Sequence, residues 1–262
     1  MLLLHGYPQT HAVWHRVAPA LAERFTVVCP DLRGYGDSGK PRSDESHAPY
    51  SKRAMAQDQL ELMRALGFDR FALVGHDRGA RVARRLALDH PDSVSRLAIL
   101  DIVPTETIYG LLDQERALTV WRYFFLVQPP DLPERLIGAD PGFYLDWTLR
   151  EWCGTAGALD EGAVSEYRRC FDAATIHAGC EDYRAGATID LVHDRADRER
   201  IHSPLLVLWS AQGIGSSYDV PSIWQQQAEV VQGRPLDCGH FLAEERPAET
   251  ASELTRFLEP LS

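Results

Sequence analysis

Residues 70–91 constrain the fold more than any other stretch of the chain. Arg70 to Gly75 (RFALVG) is a short apolar run, the pattern of a strand covered on both faces of a parallel sheet. Gly79 to His90 reads as a helix that Pro91 closes. Between them lies Gly75-His76-Asp77-Arg78-Gly79, of the form G-x-D-x-G. Passing from strand to helix in so few residues demands a sharp turn, and the flanking glycines permit it. The middle side chain is then lifted above the carboxyl end of the sheet. An aspartate there can be an ordinary helix N-cap. It can also be a nucleophile, in the place that serine takes in the esterase version of this turn.

The rest of the chain repeats the same grammar. Met1 to Leu4, Phe25 to Cys29 (FTVVC), Leu97 to Val103 (LAILDIV), Leu205 to Trp209 (LLVLW) and Glu229 to Leu236 read as further strands. Met55 to Leu66, with Gly67 as its stop, and Ala248 to Leu258 read as helices. This alternation predicts an α/β fold, a mostly parallel sheet with helices on both faces. Residues 105–201 break it. They hold no strong strand candidate but three of the six tryptophans, which predicts a helical cap inserted between two halves of a core, 1–104 and 202–262. The polar stretch Gly39 to Tyr50 reads as a surface loop.

The balance of 27 basic against 38 acidic residues leaves a net charge of −11. That argues against a nucleic-acid partner, and an anionic substrate would need a local basic pocket. The five cysteines are odd in number and form no CxxC pair, which fits a reducing cytoplasm and suggests no zinc site or disulfide framework. No signal peptide and no membrane-length apolar run is seen. No metal cluster or phosphate loop calls for a cofactor.

Two further segments point to the chemistry of Asp77. His5-Gly6-Tyr7-Pro8 follows the opening strand, where this fold supplies one backbone N–H of an oxyanion hole; the residue after the nucleophile supplies the other. These would be Tyr7 and Arg78. Late in the chain, Asp237-Cys238-Gly239-His240-Phe241 places His240 where the order nucleophile, acid, histidine requires it. For the acid, Asp101 and Asp219 compete. Asp101 is better placed, at the carboxyl end of a strand. A carboxylate nucleophile decides the reaction class. Attack on an acyl carbon would yield only an anhydride, whereas displacement at an sp3 carbon yields an ester that histidine-activated water can hydrolyse. A halide or an epoxide oxygen suits as leaving group. Arg78 and Arg81, beside the nucleophile and one helical turn on, suit a substrate carboxylate held by forked hydrogen bonds. Arg84 and Arg85 read as a solvated basic face.

These motifs, GHDRGAR (75–81), HGYPQT (5–10), DLRGYGDS (31–38), LDIVPT (100–105), CEDYRAGATIDL (180–191) and CGHF (238–241), closely resemble the haloacetate dehalogenases of the α/β-hydrolase fold, including the fluoroacetate dehalogenases. The resemblance runs over nearly the whole chain. It implies Asp77 as nucleophile, Asp101 and His240 as its dyad, Arg78 and Arg81 as carboxylate clamps, a helical cap and a homodimer. Two departures stand out. Members of the family have a first hairpin before the HG-x-P strand, which is missing from this sequence. Fluoroacetate-active members also carry His-Trp before Phe-Phe-Leu and, with a Tyr, use them to hold fluoride. Here the leaving-group pocket would be Arg122, Tyr123 and Tyr183, with Arg122 on a long stem free to reach solvent or an acidic neighbour. Tyr123 and Tyr183 also match the two cap tyrosines of epoxide hydrolases. The alternative reading is therefore an epoxide hydrolase for a small carboxylated epoxide.

Overall fold

The computed structural model describes residues 1–197 and 199–259. Among them, five strands form one parallel sheet in chain order: β1 (Leu2–Leu4), β2 (Phe71–His76), β3 (Val94–Leu100), β4 (Leu205–Ser210) and β5 (Val231–Leu236). The register pairs Leu4 with Gly75 and His76 with Leu100. The carboxyl ends of the first three strands therefore finish close together, with Tyr7, Asp77 and Asp101 just beyond them.

Alternation along each strand separates two cores, because successive side chains point to opposite faces. Leu73, Leu97 and Leu205 face one core, into which the helices Lys52–Ala65 and Arg78–Asp89 bring Met55, Leu60, Met63, Val82 and Leu86. Val74, Ala98 and Leu206 face the other, met by Leu21 of Ala18–Ala22 and by Leu254 and Phe257 of Pro247–Leu258. Each such fully buried aliphatic or aromatic side chain contributes about 1.5–3 kcal/mol.

Phe25 to Cys29 departs from the expected strand. It makes a single parallel bridge, Val28 to Leu2, with Leu3 N–H on Val28 O at 2.9 Å. The neighbouring β1 is three residues long, too short a template for a longer ladder. β3 also stops earlier than expected, at Leu100, because Asp101 turns to a φ of 55° outside the β region.

Residues between β3 and β4 form helices from Thr105–Gly110 to Ile189–Ala196, with no strand among the described residues. Their apolar side chains, among them Ile108, Leu126, Leu145 and Ile176, join the core on the first face of the sheet. Arg84 and Arg85 are not a solvated face. Arg85 is buried and bonded to Asp89 and Asp197, and Arg84 donates to Asp194 and Gln227 at 2.8 Å each. Buried guanidinium groups require such partners. No helix among the described residues is long and apolar enough to cross a membrane.

Candidate active site

The turn between β2 and the helix Arg78–Asp89 holds Asp77 at φ 47° and ψ −114°, a conformation that a residue with a Cβ adopts only under constraint. Three glycines impose it. A Cβ on Gly79 would lie 2.3 Å from His5 O, one on Gly75 would lie 2.5 Å from Ala80 Cα, and one on Gly6 would lie 2.4 Å from Asp77 Cβ. The packed backbones of β1, the turn and the helix thus force the carboxylate up. Asp77 Oδ1 accepts the Tyr7 N–H at 2.9 Å. Asp77 also sits at the helix N-terminus, where the partial positive charge favours an anion. Burial alone would raise its pKa, but His240, Arg78, His76 and the Tyr7 N–H together hold the carboxyl below its ordinary range.

His240 lies across from it. Its Nδ1–H donates to Asp101 Oδ2 at 2.6 Å, and its Nε2 stands 3.8 Å from Asp77 Oδ2. That Nε2 is buried and has no hydrogen-bond partner. Burial opposes the imidazolium, but the bond and charge of Asp101, with Asp77 adding to them, raise the His240 pKa. Asp101 is itself held: Ser210 N–H donates to its Oδ1 at 2.7 Å, and Asp101 N–H donates to Leu208 O at 2.9 Å. The competitor Asp219 is exposed and caps the helix Val220–Gln227, with Ser222 Oγ donating to it at 2.7 Å.

Two supports of His240 are not evident from the motifs. His76 Nε2–H donates to the His240 carbonyl at 2.8 Å, and burial together with the nearby His240 charge lowers its pKa to about 3, so it stays neutral. Glu245 accepts Gly239 N–H and Gly154 N–H at 2.9 Å each and Phe241 N–H at 3.0 Å. One carboxylate therefore grips both neighbours of His240 and the backbone just past the helix Pro141–Trp152. Its place five residues past His240 was the one signal available in the sequence.

The two expected clamps part company. Arg78 is buried, and its Nε and Nη2 both donate to Asp182, at 2.9 and 2.8 Å. Lys52 and Tyr35 also bond Asp182, and the Tyr183 ring lies 4.1 Å from the guanidinium. The forked edge of Arg78 is thus occupied by a protein carboxylate, because a buried guanidinium without a counter-charge would be costly. That edge is closed to a substrate, and Arg78 is not among the residues that line the cavity above Asp77. Arg81 does line the cavity above Asp77. Its Nη1 donates to Thr105 Oγ1 at 2.6 Å and its Nη2 to Tyr123 Oη at 2.7 Å, while its Nε is buried without a partner.

The cavity, about 460 Å³, is lined by Asp77, Asp101 and His240 beyond the strands and, on what is here its cap side, by Arg122, Trp152 and Tyr183 from the segment between β3 and β4. Tyr123 and Tyr183 meet edge to face at 5.2 Å, and the Tyr183 hydroxyl is buried without a partner. Arg122 neither points to solvent nor pairs with an acid. It is buried, with its guanidinium carbon 4.7 Å from the Trp121 ring, 4.6 Å from Trp147 and 4.8 Å from Trp152. Three indole faces attract the cation, which is why a long basic stem folds inward here.

Comparison with known proteins bears on this geometry. Residues 1–247 match the family model described as alpha/beta hydrolase fold. A fluoroacetate dehalogenase of a Burkholderia species is 47% identical over 98% of this chain and 86% of its own length. A soluble epoxide hydrolase of Corynebacterium sp. (strain C12) is 35% identical over 100% of this chain and 90% of its own. Among solved structures, the epoxide hydrolase CorEH superposes with a TM-score of 0.90 at 35% identity, covering 98% of this chain and 89% of that one.

Proposed function

The chain belongs to the alpha/beta hydrolase fold family, among the relatives of the haloacetate dehalogenases, and on that premise we propose that it hydrolyses the carbon–halogen bond of short 2-haloacids. The observation that carries this reading is the placement of an ionised carboxylate, Asp77, where the fold presents its nucleophile, 3.8 Å from His240 Nε2.

An Asp77 oxygen attacks the carbon bearing the halogen. The new C–O bond forms as the C–X bond breaks, and the halide leaves with the bonding pair. Arg81 holds the substrate carboxylate, with Arg78 adding charge behind it. Tyr183 and Tyr123 receive the departing halide, with the charge of Arg122 close by. Water then loses a proton to His240 Nε2 and attacks the ester carbonyl. The resulting oxyanion takes the backbone N–H groups of Tyr7 and Arg78. Collapse releases the 2-hydroxy acid and restores Asp77. The net reaction consumes one water and yields halide, hydroxy acid and a proton.

The ester also readies the base. Asp77 is one of the groups that raise the His240 pKa. Esterification removes that charge, so His240 gives up its proton more readily in the step where it must accept one from water. Fluoride, small and poor as a leaving group, needs several well-aimed donors. With Arg122 and Tyr123 in place of the family's His-Trp pair, chloroacetate and bromoacetate are the better substrates.

The experiment is His240→Asn with chloroacetate, followed by mass spectrometry of the Asp77 peptide. Displacement survives and hydrolysis does not, so the carboxymethyl ester accumulates. An unmodified Asp77 in a variant whose wild type releases chloride would refute the covalent route.

One observation favours a second reading, an epoxide hydrolase for a small carboxylated epoxide. Tyr123 Oη accepts from Arg81, which leaves its own proton free, and the unpartnered Tyr183 hydroxyl stands beside it. Two phenols can donate to an epoxide oxygen as the ring opens. Running glycidate beside chloroacetate separates the two readings.

A further inference from the structure

The feature that the proposed reaction explains least is Arg122. Its Nε and Nη2 are buried and bond to nothing. Burial lowers its pKa, and the acidic groups that oppose this are the phenols of Tyr144, Tyr183 and Tyr7 and the carboxylate of Glu151. Glu151 is exposed at the cavity, and no ion pair between it and Arg122 is seen among the described residues. Indole faces attract the cation but accept no N–H bond in the plane of the guanidinium. A buried donor left without an acceptor is a cost that a ligand can remove.

The unpaired edge says which ligand. Nε and Nη2 are the two nitrogens with which Arg53 holds Asp89, Arg78 holds Asp182 and Arg168 holds Asp146. In Arg116 and Arg184 the same edge closes on one backbone carbonyl, of Ser217 and Gln128, but its two parallel N–H groups are best matched by the two oxygens of a carboxylate. A cavity of about 460 Å³ is also far larger than a haloacetate fills. Arg81 and Arg122 both line it, as Asp77 does.

We infer that Arg122 is the seat of a second carboxylate, so that the preferred substrate is a short dicarboxylate, of the 2-chlorosuccinate class, rather than a haloacetate. Arg81 takes the carboxylate next to the reacting carbon, Arg122 takes the distal one, and the phenols of Tyr123 and Tyr183 remain for the leaving group. Nε and Nη2 are both covered, so the distal carboxylate reaches that edge through a turn of the guanidinium within its tryptophan cage. The reacting carbon in this assignment rests on the dehalogenase reading, whereas the binding seat does not.

The test begins with unreactive ligands. Succinate and acetate are titrated into the wild-type protein by calorimetry, with tryptophan emission recorded because Trp121, Trp147 and Trp152 surround the seat. Succinate should bind at least about tenfold more tightly, with a change in emission that acetate does not produce. Arg122→Met should erase the difference, and Arg122→Lys, which keeps charge without the planar edge, should restore only part of it. Equal binding of the two acids by the wild type overturns the seat, and this arm needs no variant to fold. Turnover of 2-chlorosuccinate should exceed that of chloroacetate in kcat/KM, and Arg122→Met should reverse the order. If succinate binds as expected but neither chloro acid is turned over, the dehalogenase reading fails and the seat stands. If chloroacetate is turned over but succinate binds no better than acetate, the seat fails and the reaction stands.

Discussion

The two walls of the cavity are built on opposite plans. On the core side, Asp77 takes a backbone N–H from Tyr7, Asp101 takes one from Ser210 and holds His240, and Glu245 grips the backbone on either side of His240. On the cap side, the Tyr183 hydroxyl and two nitrogens of Arg122 are buried with nothing to bond. Apart from His240 Nε2 and Arg81 Nε, which face the reaction unpartnered, the core wall is organised before any ligand arrives; the cap wall keeps donors in reserve. Groups that must be aimed at a reacting carbon gain from being fixed in advance. Groups that recognise a ligand must be left something to recognise.

The largest test of this contrast is Asp101→Asn. It keeps the shape of the core wall but disturbs the charge and tautomer of His240. Loss of an equivalent acid typically costs about 10⁴-fold in turnover. Ester hydrolysis should fall by about that factor while formation of the Asp77 ester, followed by rapid quench, persists. A variant within tenfold of wild type would mean that the core wall is less finely arranged than its hydrogen bonds suggest.

Tyr183→Phe probes the cap wall and should separate activity from stability. Turnover should drop by about 10²-fold, the lower range for loss of a proton donor. Stability should hold or rise by up to about 1 kcal/mol, because deleting a buried hydroxyl without a partner removes an unmet desolvation cost. Thermal melts beside rate measurements decide it; parallel loss of both would show the hydroxyl to be structural.

The last effect is on stability alone and concerns a carboxyl behind the core wall, on the helix Leu242–Glu245, that burial leaves poorly stabilised as an anion. Glu244 accepts from Tyr167 Oη at 3.1 Å and bonds Gln9, yet desolvation raises its pKa to about 7. A raised folded-state value means that the folded protein holds this proton between about pH 4.5 and 7 while the unfolded chain does not, so stability falls as pH rises through that window. The loss is on the order of 3 kcal/mol. Glu244→Gln should flatten the difference in urea-unfolding free energy between pH 5 and pH 8. An unchanged slope in the variant would assign it to other groups, His240 first among them.

Much of this was legible in the chain itself. The alternation of apolar runs and helical patterns predicts the parallel sheet, since β2 and β4 are fully covered strands whose composition admits little else. Phe25 to Cys29 has the same composition but makes one bridge, because a strand also needs a neighbour of matching length. The turn at Asp77 is readable because Gly75 and Gly79 are local requirements of its backbone, within four residues of each other. Arg78 and Arg81 look equivalent in sequence, one turn apart on one helix. The difference between them lies more than a hundred residues away, in Asp182, which occupies the fork of Arg78 and leaves Arg81 to the cavity. Arg122 is the plainer case. By itself a basic residue on a short helix promises a solvated charge, and only the packing of Trp121, Trp147 and Trp152 around it decides otherwise. Local geometry and apolar pattern are written in neighbouring residues, whereas the partner of a charge is chosen by whatever the folded chain brings within 3 Å of it. The sequence therefore determined the sheet, the elbow and the order of Asp77, Asp101 and His240, and the tertiary structure alone decided which buried cations stand paired and which stand open.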